Sequence, residues 1–257
     1  MIKAVFFDID GTLVSFETHR IPRSAREAIR QLQEKGIRVF VATGRHESAI
    51  NNLGDTRFDG YITINGGYCT VDDNICIYRN PIPKTDIEAL IEYQKLNPFP
   101  CMVMDEKGMS VNYHNRDVDH MLKMLDFPKI RVRPLREAIN TDVLQLVSFF
   151  TADREDKIMQ ILPHCESTRW YPLFTDIVPK GSSKAQGIDK IIEHYGISLS
   201  ETMAFGDGGN DMTMLQHAGT GVAMGNAEDK VKAVADFVTD TVDADGIVKA
   251  LKKFGIF

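Results

Sequence analysis

Three apolar runs in this chain each end abruptly at a polar cluster. Ala4-Val5-Phe6-Phe7 gives way to Asp8-Ile9-Asp10-Gly11-Thr12, and Val39-Phe40-Val41-Ala42 to Thr43-Gly44-Arg45. Met203-Ala204-Phe205 gives way to Gly206-Asp207-Gly208-Gly209-Asn210-Asp211. Short runs without polar alternation fit strands buried on both faces, as in a parallel sheet covered by helices. Ligands of such sheets bind beyond the carboxyl ends of the strands. Three strands of this kind would carry carboxylates, a hydroxyl and an amide to one edge.

The surrounding pattern alternates in the same sense. Pro22 opens a predicted helix with Ala25, Ala28, Ile29 and Leu32 on one face, and Gly36 ends it. Ile37–Ala42 and Tyr61–Ile64 read as strands, with a short helix over His46–Leu53 between them. The middle then changes character. Asp72-Asp73-Asn74 is a turn signal between Cys69–Val71 and Ile75–Tyr78, which predicts a hairpin. Helices near 84–96, 116–125 and 154–162 are interspersed with strands at Met102–Met104, Ser110–Tyr113, Val143–Phe150, Cys165–Tyr171 and Phe174–Val178. That order fits an α+β unit with an antiparallel sheet. Alternation returns with a helix over Ser182–Tyr195, the strand Thr202–Phe205 and a helix from Asn210. It continues through Gly221–Ala223, a helix over Glu228–Ala235, Phe237–Val238 and a helix near 244–253. The expected fold is α/β: a doubly wound, Rossmann-like parallel-sheet core, residues 1–80 and 182–257, with an inserted α+β cap domain, residues 81–181. The Pro81 and Pro83 pair and Pro179-Lys180-Gly181 bound the insertion.

A chain of 257 residues has room for two cores. Its 43% hydrophobic and 26% charged residues argue against disorder. The net charge of -6 argues against a nucleic-acid or anionic-membrane partner held by bulk charge. A phosphate ester stays possible, because one local cation can outweigh the global sign. Cys69, Cys76, Cys101 and Cys165 form no Cys-x-x-Cys pair and read as reduced, structural thiols. No basic, apolar leader precedes the first strand, and no apolar run is long enough for a bilayer. The expectation is a cytoplasmic protein, a monomer or small homo-oligomer, with a small-molecule partner. His46, His114 and His217 show no pairing logic in the sequence.

Asp8 and Asp10 stand two residues apart just after a strand. Two facing carboxylates repel unless a cation or proton lies between them. A hard divalent ion, most simply Mg2+, relieves this and also neutralises a phosphate. Asp207 can complete the coordination, Asp211 can be a ligand or a support, and Asn210 can hold a ligand by hydrogen bonding. An Asp carboxylate can also attack phosphorus, with a second Asp protonating the leaving alkoxide and later activating water. The transferring group needs donors: the Thr43 hydroxyl, the backbone amides of the tight Gly11 turn, and a lysine. Lys184, in the first turn of a predicted helix, and Lys180 compete for that place.

Asp8-Ile9-Asp10-Gly11-Thr12-Leu13 resembles the first motif of the haloacid dehalogenase-like (HAD) phosphatases. Ala42-Thr43-Gly44-Arg45 resembles the second, Lys184 the third and Gly206–Asp211 the fourth, in the right order from Ala4 to the C-terminus. A cap between the second and third motifs is the arrangement of the Cof-like, type IIB subgroup. The chain is similar in particular to the sugar-phosphate phosphatases of Bacteroides-type bacteria. Asn65-Gly66-Gly67 resembles an Asn-Gly-Ala element of that subgroup, with Gly67 as a departure. The resemblance implies Asp8 as nucleophile, Asp10 as general acid/base, and Thr43 and Lys184 as phosphate binders. It implies a Mg2+ held by Asp8, Asp207 and the Asp10 carbonyl, supported by Asn210 and Asp211. Arg45, Asn65, Gly66 and, in the cap, Asp176 become substrate candidates. Trp170 and Tyr171 would pack the cap core or stack on a sugar.

The expected function is Mg2+-dependent hydrolysis of small phosphate monoesters, sugar phosphates above all. Two other classes compete. A phosphomutase would return the phosphoryl group to a second hydroxyl, giving isomerised sugar phosphate and no free phosphate. A non-catalytic phosphate-binding regulator would suit a chain lacking one Asp of the first motif, and both are present.

Overall fold

The apolar runs form the middle of a sheet. The computed structural model describes residues 1–72, 74–125, 127 and 129–257, and only the backbone of Trp170. The chain divides into two compact units. One comprises Met1–Arg45, Ile50–Tyr78 and Ser183–Phe257, the other His46–Ala49 and Arg79–Ser182.

The first unit holds strands β1 (Ala4–Phe7), β2 (Arg38–Ala42), β3 (Gly60–Thr63), β4 (Tyr68–Val71) and β5 (Ile75–Arg79). Its later strands are β12 (Thr202–Gly206), β13 (Gly221–Ala223) and β14 (Phe237–Val238). They lie in the order β14-β13-β12-β1-β2-β3-β4-β5. All pairings from β14 to β3 are parallel, and β4 joins β3 antiparallel. Helices α1 (Arg23–Glu34) and α8 (Gly246–Lys253) cover one face, and α5 (Lys184–Tyr195), α6 (Met212–His217) and α7 (Asp229–Lys232) the other. Successive side chains of a strand point to opposite faces. Val5 and Phe7 therefore enter one core, with Ile29, Leu32 and Leu251. Ala4 and Phe6 enter the other, with Ile188, Ile191 and Leu215. Phe7 stacks on Phe205 at 4.9 Å on the first face, and Phe6 on Phe40 at 5.0 Å on the second. Burying each of these rings contributes about 1.5–3 kcal/mol. Two covered faces are why these strands read as unbroken apolar runs.

The second unit carries β6 (Cys101–Asp105), β7 (Gly108–Val111), β8 (Arg131–Val132), β9 (Val143–Ser148), β10 (Cys165–Tyr171) and β11 (Phe174–Pro179). Their order is β10-β11-β9-β6-β7-β8. Helices α2 (Lys84–Leu96), α3 (Arg116–Met124) and α4 (Glu155–Ile161) complete it. Ile87 and Leu90 of α2 and Ile158 of α4 share a core with Val103, Leu146 and Ile177 of the sheet. The sheet is antiparallel apart from the parallel pair β7–β8. β8 has two exposed residues, too short and too polar a segment to give a sequence signal.

Two local expectations change. His46–Leu53 forms no α-helix but a single 3-10 turn over Glu47–Ala49. The His46 ring is the reason: Nδ1 meets the Ser48 N–H at 3.0 Å, and Nε2 meets the Asp105 carbonyl at 2.9 Å. A side chain bonded this way competes with helical hydrogen bonds. His114 and His217 also have partners, Asp119 and Asp189. The helix expected over Glu228–Ala235 shortens to α7. Cys69, Cys101 and Cys165 are buried, and burial pushes each thiol up to about 12, so none is a thiolate at neutral pH. Asp73 of the hairpin turn lies outside the described residues. Among the described residues, no helix is long and apolar enough to cross a membrane.

Candidate active site

Register brings the polar clusters together. Phe7 of β1 lies level with Phe205 of β12 on one side and Val41 of β2 on the other. The next residues on the three strands are Asp8, Gly206-Asp207 and Ala42-Thr43. From β1 the sheet grows through β2 and β3 in one direction, and from β12 through β13 and β14 in the other. The polar residues therefore sit at the carboxyl edge where strand order reverses, the usual ligand crevice of such folds.

Lys184 is the centre of the cluster. Its Nζ donates to Asp8 Oδ1 at 2.6 Å and to Asp211 Oδ1 at 2.5 Å, and its side chain is 0% exposed. Ser183 caps α5 by accepting from the Gln186 N–H at 3.2 Å, which fixes Lys184 as the first helical residue. A cation in a first turn opposes the helix dipole; here the acids outweigh it. Burial alone would lower the Lys184 ammonium, but Asp211 and Asp8 hold it above its ordinary value. Asp8 faces the opposite balance. Burial, then Asp211, raise its carboxyl well above the usual range, and Lys184 offsets this only in part. Lys180, the alternative lysine, lies exposed in the second unit.

A second set of contacts fixes Asp207. Thr12 Oγ1 donates to its Oδ1 at 2.9 Å, and Asn226 Nδ2 donates to its Oδ2 at 3.0 Å and to the Gly11 carbonyl at 2.9 Å. A Cβ on Gly11 would lie 2.2 Å from Asp207 Oδ2, and its φ of 85° suits glycine. The Gly11 N–H donates to the Val14 carbonyl at 2.9 Å, which closes the turn. Asp211 Oδ2 accepts the N–H groups of Asp207 and Gly208 at 2.9 and 2.8 Å. With Oδ1 on Lys184, both its oxygens accept hydrogen bonds, and it braces the loop.

Asp10 is gripped by Arg45: Nε donates to Oδ2 at 2.7 Å and Nη2 to Oδ1 at 2.9 Å. This fork fixes the plane of the Asp10 carboxylate. The Thr43 hydroxyl accepts the Arg45 N–H at 3.1 Å, which leaves its own proton to donate. Asn65 N–H donates to the Thr43 carbonyl at 3.1 Å, and Asn65 Oδ1 accepts from Asn210 Nδ2 at 3.2 Å. Ile64, Asn65 and Gly66 have φ of 55°, 51° and 90° in succession. A left-handed conformation is costly for a β-branched residue. Gly66 is needed for a different reason: a Cβ there would lie 2.0 Å from the Ser183 carbonyl oxygen. The loop thus ties the end of β3 to the start of α5. Asp176 is half-buried on β11 of the second unit, opposite Thr168 and Val147. The Trp170 side chain lies outside the described residues. Tyr171 stacks on Phe174 at 5.3 Å in the same unit.

Thr12 and Asn226 are the contributors that motif reading passed over. Thr12 lies inside the first motif, and Asn226 follows Val222-Ala223-Met224-Gly225, a fourth apolar run ending at a polar residue. The donor set fits a hard divalent ion. Asp8, Asp207 and Asp211 each bring a carboxylate oxygen within 4.8 Å of the others. Three carboxylates face one ammonium, an excess of negative charge that such an ion would neutralise. The excess shows in Asp207, which burial and then Asp211 raise to about 7 against the Thr12 hydrogen bond.

The family model of the haloacid dehalogenase-like hydrolases matches residues 5–251. The chain belongs to this family. Similar proteins align along nearly its whole length. YkrA of Bacillus subtilis (strain 168) is 37% identical, over 99% of this chain and 98% of its own. The 5-amino-6-(5-phospho-D-ribitylamino)uracil phosphatase YcsE of the same organism is 27% identical, over 98% and 95%. Among solved structures, the HAD subclass IIB sugar phosphatase BT4131 superposes with a TM-score of 0.91 at 47% identity, covering 99% of this chain and 100% of its own. The HAD phosphatase BT1666 from Bacteroides thetaiotaomicron gives 0.92 at 40%, covering 100% and 96%. The HAD core with an inserted cap domain is thereby established, and the protein is a phosphatase.

Proposed function

We infer that the protein hydrolyses small phosphate monoesters, sugar phosphates foremost, in a Mg2+-dependent reaction through an aspartyl-phosphate on Asp8. The carrying observation is the pair of carboxylates two residues apart, one anchored by Lys184 and the other oriented by Arg45. Similarity to a IIB sugar phosphatase at 47% identity supports the substrate class. Residues 81–181 would serve as the cap, with Asp176 and Trp170 as candidates for reading the leaving group.

In this reading an Asp8 oxygen attacks phosphorus as the ester P–O bond breaks, and Asp10 gives its proton to the departing alkoxide. Asp10 then takes a proton from water, which attacks the same phosphorus and frees phosphate and Asp8. Lys184 and the Thr43 hydroxyl neutralise non-bridging oxygens. Asn65 orders Thr43 through its backbone and Asn210 through its side chain. Mg2+, held by Asp8, Asp207 and the Asp10 carbonyl, would supply the remaining positive charge for the transferring group.

The test is phosphate release from a panel of hexose, pentose, nucleotide and cofactor phosphates. Hexose and pentose phosphates should turn over with Mg2+, and excess EDTA should cut the rate by about 100-fold or more. Undiminished turnover in EDTA would end the metal assignment. Isomerised sugar phosphate without free phosphate would mark a mutase. Asp10→Asn should retain slow labelling of Asp8 by activated esters while losing about 10^2–10^4-fold in turnover, the usual worth of general acid–base catalysis. Phosphopeptide mapping reads both; prompt turnover by this variant would remove Asp10 from the proton path.

A further inference from the structure

Burial stops sharply in the loop after the first motif. Gly11 to Ser15 are buried, and Phe16 is 62% exposed. An exposed apolar residue alone needs no explanation. Phe16 differs in two ways. First, its loop is stiff: the fully buried Ser15 Oγ accepts from Glu17 N–H at 3.0 Å and Thr18 N–H at 3.2 Å. Ser15 N–H also donates to the Arg20 carbonyl at 3.2 Å. The ring is therefore exposed without being on a loose segment. Second, a Cβ on Gly11 would meet Phe16 Cε2 at 2.6 Å and Asp207 Oδ2 at 2.2 Å. The ring edge and the Asp207 carboxylate flank the same point of the catalytic turn.

Resting on the phosphatase reading above, we propose that Phe16 is a specificity residue that packs against the carbon skeleton of the leaving alcohol. The acids and Lys184 meet the phosphoryl group and cannot tell one ester from another. The ring edge flanks the Gly11 turn together with Asp207, and in this proposal it meets what the phosphoryl group carries. Sugar rings present C–H faces, and aromatic side chains bury such surface with few rotatable bonds. The class recognised is an organic phosphate whose leaving group has an apolar face.

Three substrates separate the possibilities: a hexose 6-phosphate, p-nitrophenyl phosphate and acetyl phosphate, whose leaving group is minimal. Phe16→Ala should lower kcat/KM for the first two by about tenfold or more, mainly through KM, as the loss of apolar burial predicts. Acetyl phosphate turnover and inhibition by inorganic phosphate should stay within about twofold. Phe16→Tyr should restore most of the loss. In an Asp8→Asn background, the Kd for p-nitrophenyl phosphate should rise by a similar factor with Phe16→Ala, a readout independent of turnover. Equal loss on acetyl phosphate would assign Phe16 to support of the Gly11 turn and overturn the proposal. Unchanged KM and Kd for p-nitrophenyl phosphate would overturn it as well. Phosphate release from the hexose 6-phosphate and p-nitrophenyl phosphate by the wild type tests the phosphatase reading separately.

Discussion

Asp8→Asn should give a folded protein that loses about 10^4-fold or more of its turnover. The amide has the same shape but is a poor nucleophile, so no aspartyl-phosphate should be trapped at residue 8. Its stability should move the other way. The Asp8 carboxyl is raised by burial and by Asp211, so the folded state disfavours the ionised form despite Lys184. A raised carboxyl means that the folded state binds more protons than the unfolded one. Metal-free wild-type protein therefore gains stability as pH falls from the raised value toward the ordinary value of 3.8. Above that window the cost of the buried charge is fully present, and the neutral amide avoids it. Metal-free Asp8→Asn should thus unfold at a higher temperature than wild type at pH 8, with the margin shrinking on acidification. Thermal unfolding in EDTA across pH measures this. A variant with near-wild-type turnover would remove Asp8 as nucleophile. A variant less stable than wild type at pH 8 would show that the Lys184 pair outweighs burial.

Lys184→Met should fail in both respects. The ammonium is fully buried and bridges Asp8 and Asp211. Methionine fills similar space but leaves two buried carboxylates without their cation. Breaking a buried pair from one side costs about 3–5 kcal/mol. Turnover should fall by about 10^2–10^3-fold, the scale of removing one donor to developing charge. Lys184 in wild type contributes stability that is complete below its ordinary value of 10.5 and is lost only as pH rises through its higher folded value. Any pH dependence the variant shows near neutrality therefore belongs to the carboxylates, and acidification should recover part of its stability. Lys184→Arg is not a conservative control, because the guanidinium fork is larger and flatter than the space it would enter. An unchanged unfolding temperature in Lys184→Met would contradict the burial argument.

The strand ends were legible because each is an apolar run cut off by a polar residue. A run buried on both faces leaves no doubt about where it stops. Lys184 was less so: a lysine in a first helical turn is ordinarily solvated, and its burial depends on two acids that come from elsewhere in the chain. The Arg45–Asp10 fork depends on the neighbourhood of β1 and β2, and the Asn226 bridge on that of β1, β12 and β13. Neighbourhood of strands is a tertiary fact without a local signal. The short helix expected over His46–Leu53 gives way to a turn for the same reason, because its decisive bond runs to the carbonyl of Asp105. The exposure of a single loop residue such as Phe16 cannot be read from its neighbours in sequence.

The placement of β1 between β2 and β12 has a consequence for the newborn chain. One edge of β1 finds its partner early, in β2. The other edge waits for Thr202–Gly206, which is made after the whole of the second unit. At ordinary synthesis rates that interval is roughly 10–40 s. Throughout it, an unbroken apolar strand shows open backbone groups along one side, a template for pairing with other chains. The second unit, Arg79–Ser182, meets no such delay, since its six-stranded sheet is complete before β12 emerges. The catalytic half is thus begun first and closed last, with one edge of β1 unpaired until Thr202–Gly206 is made.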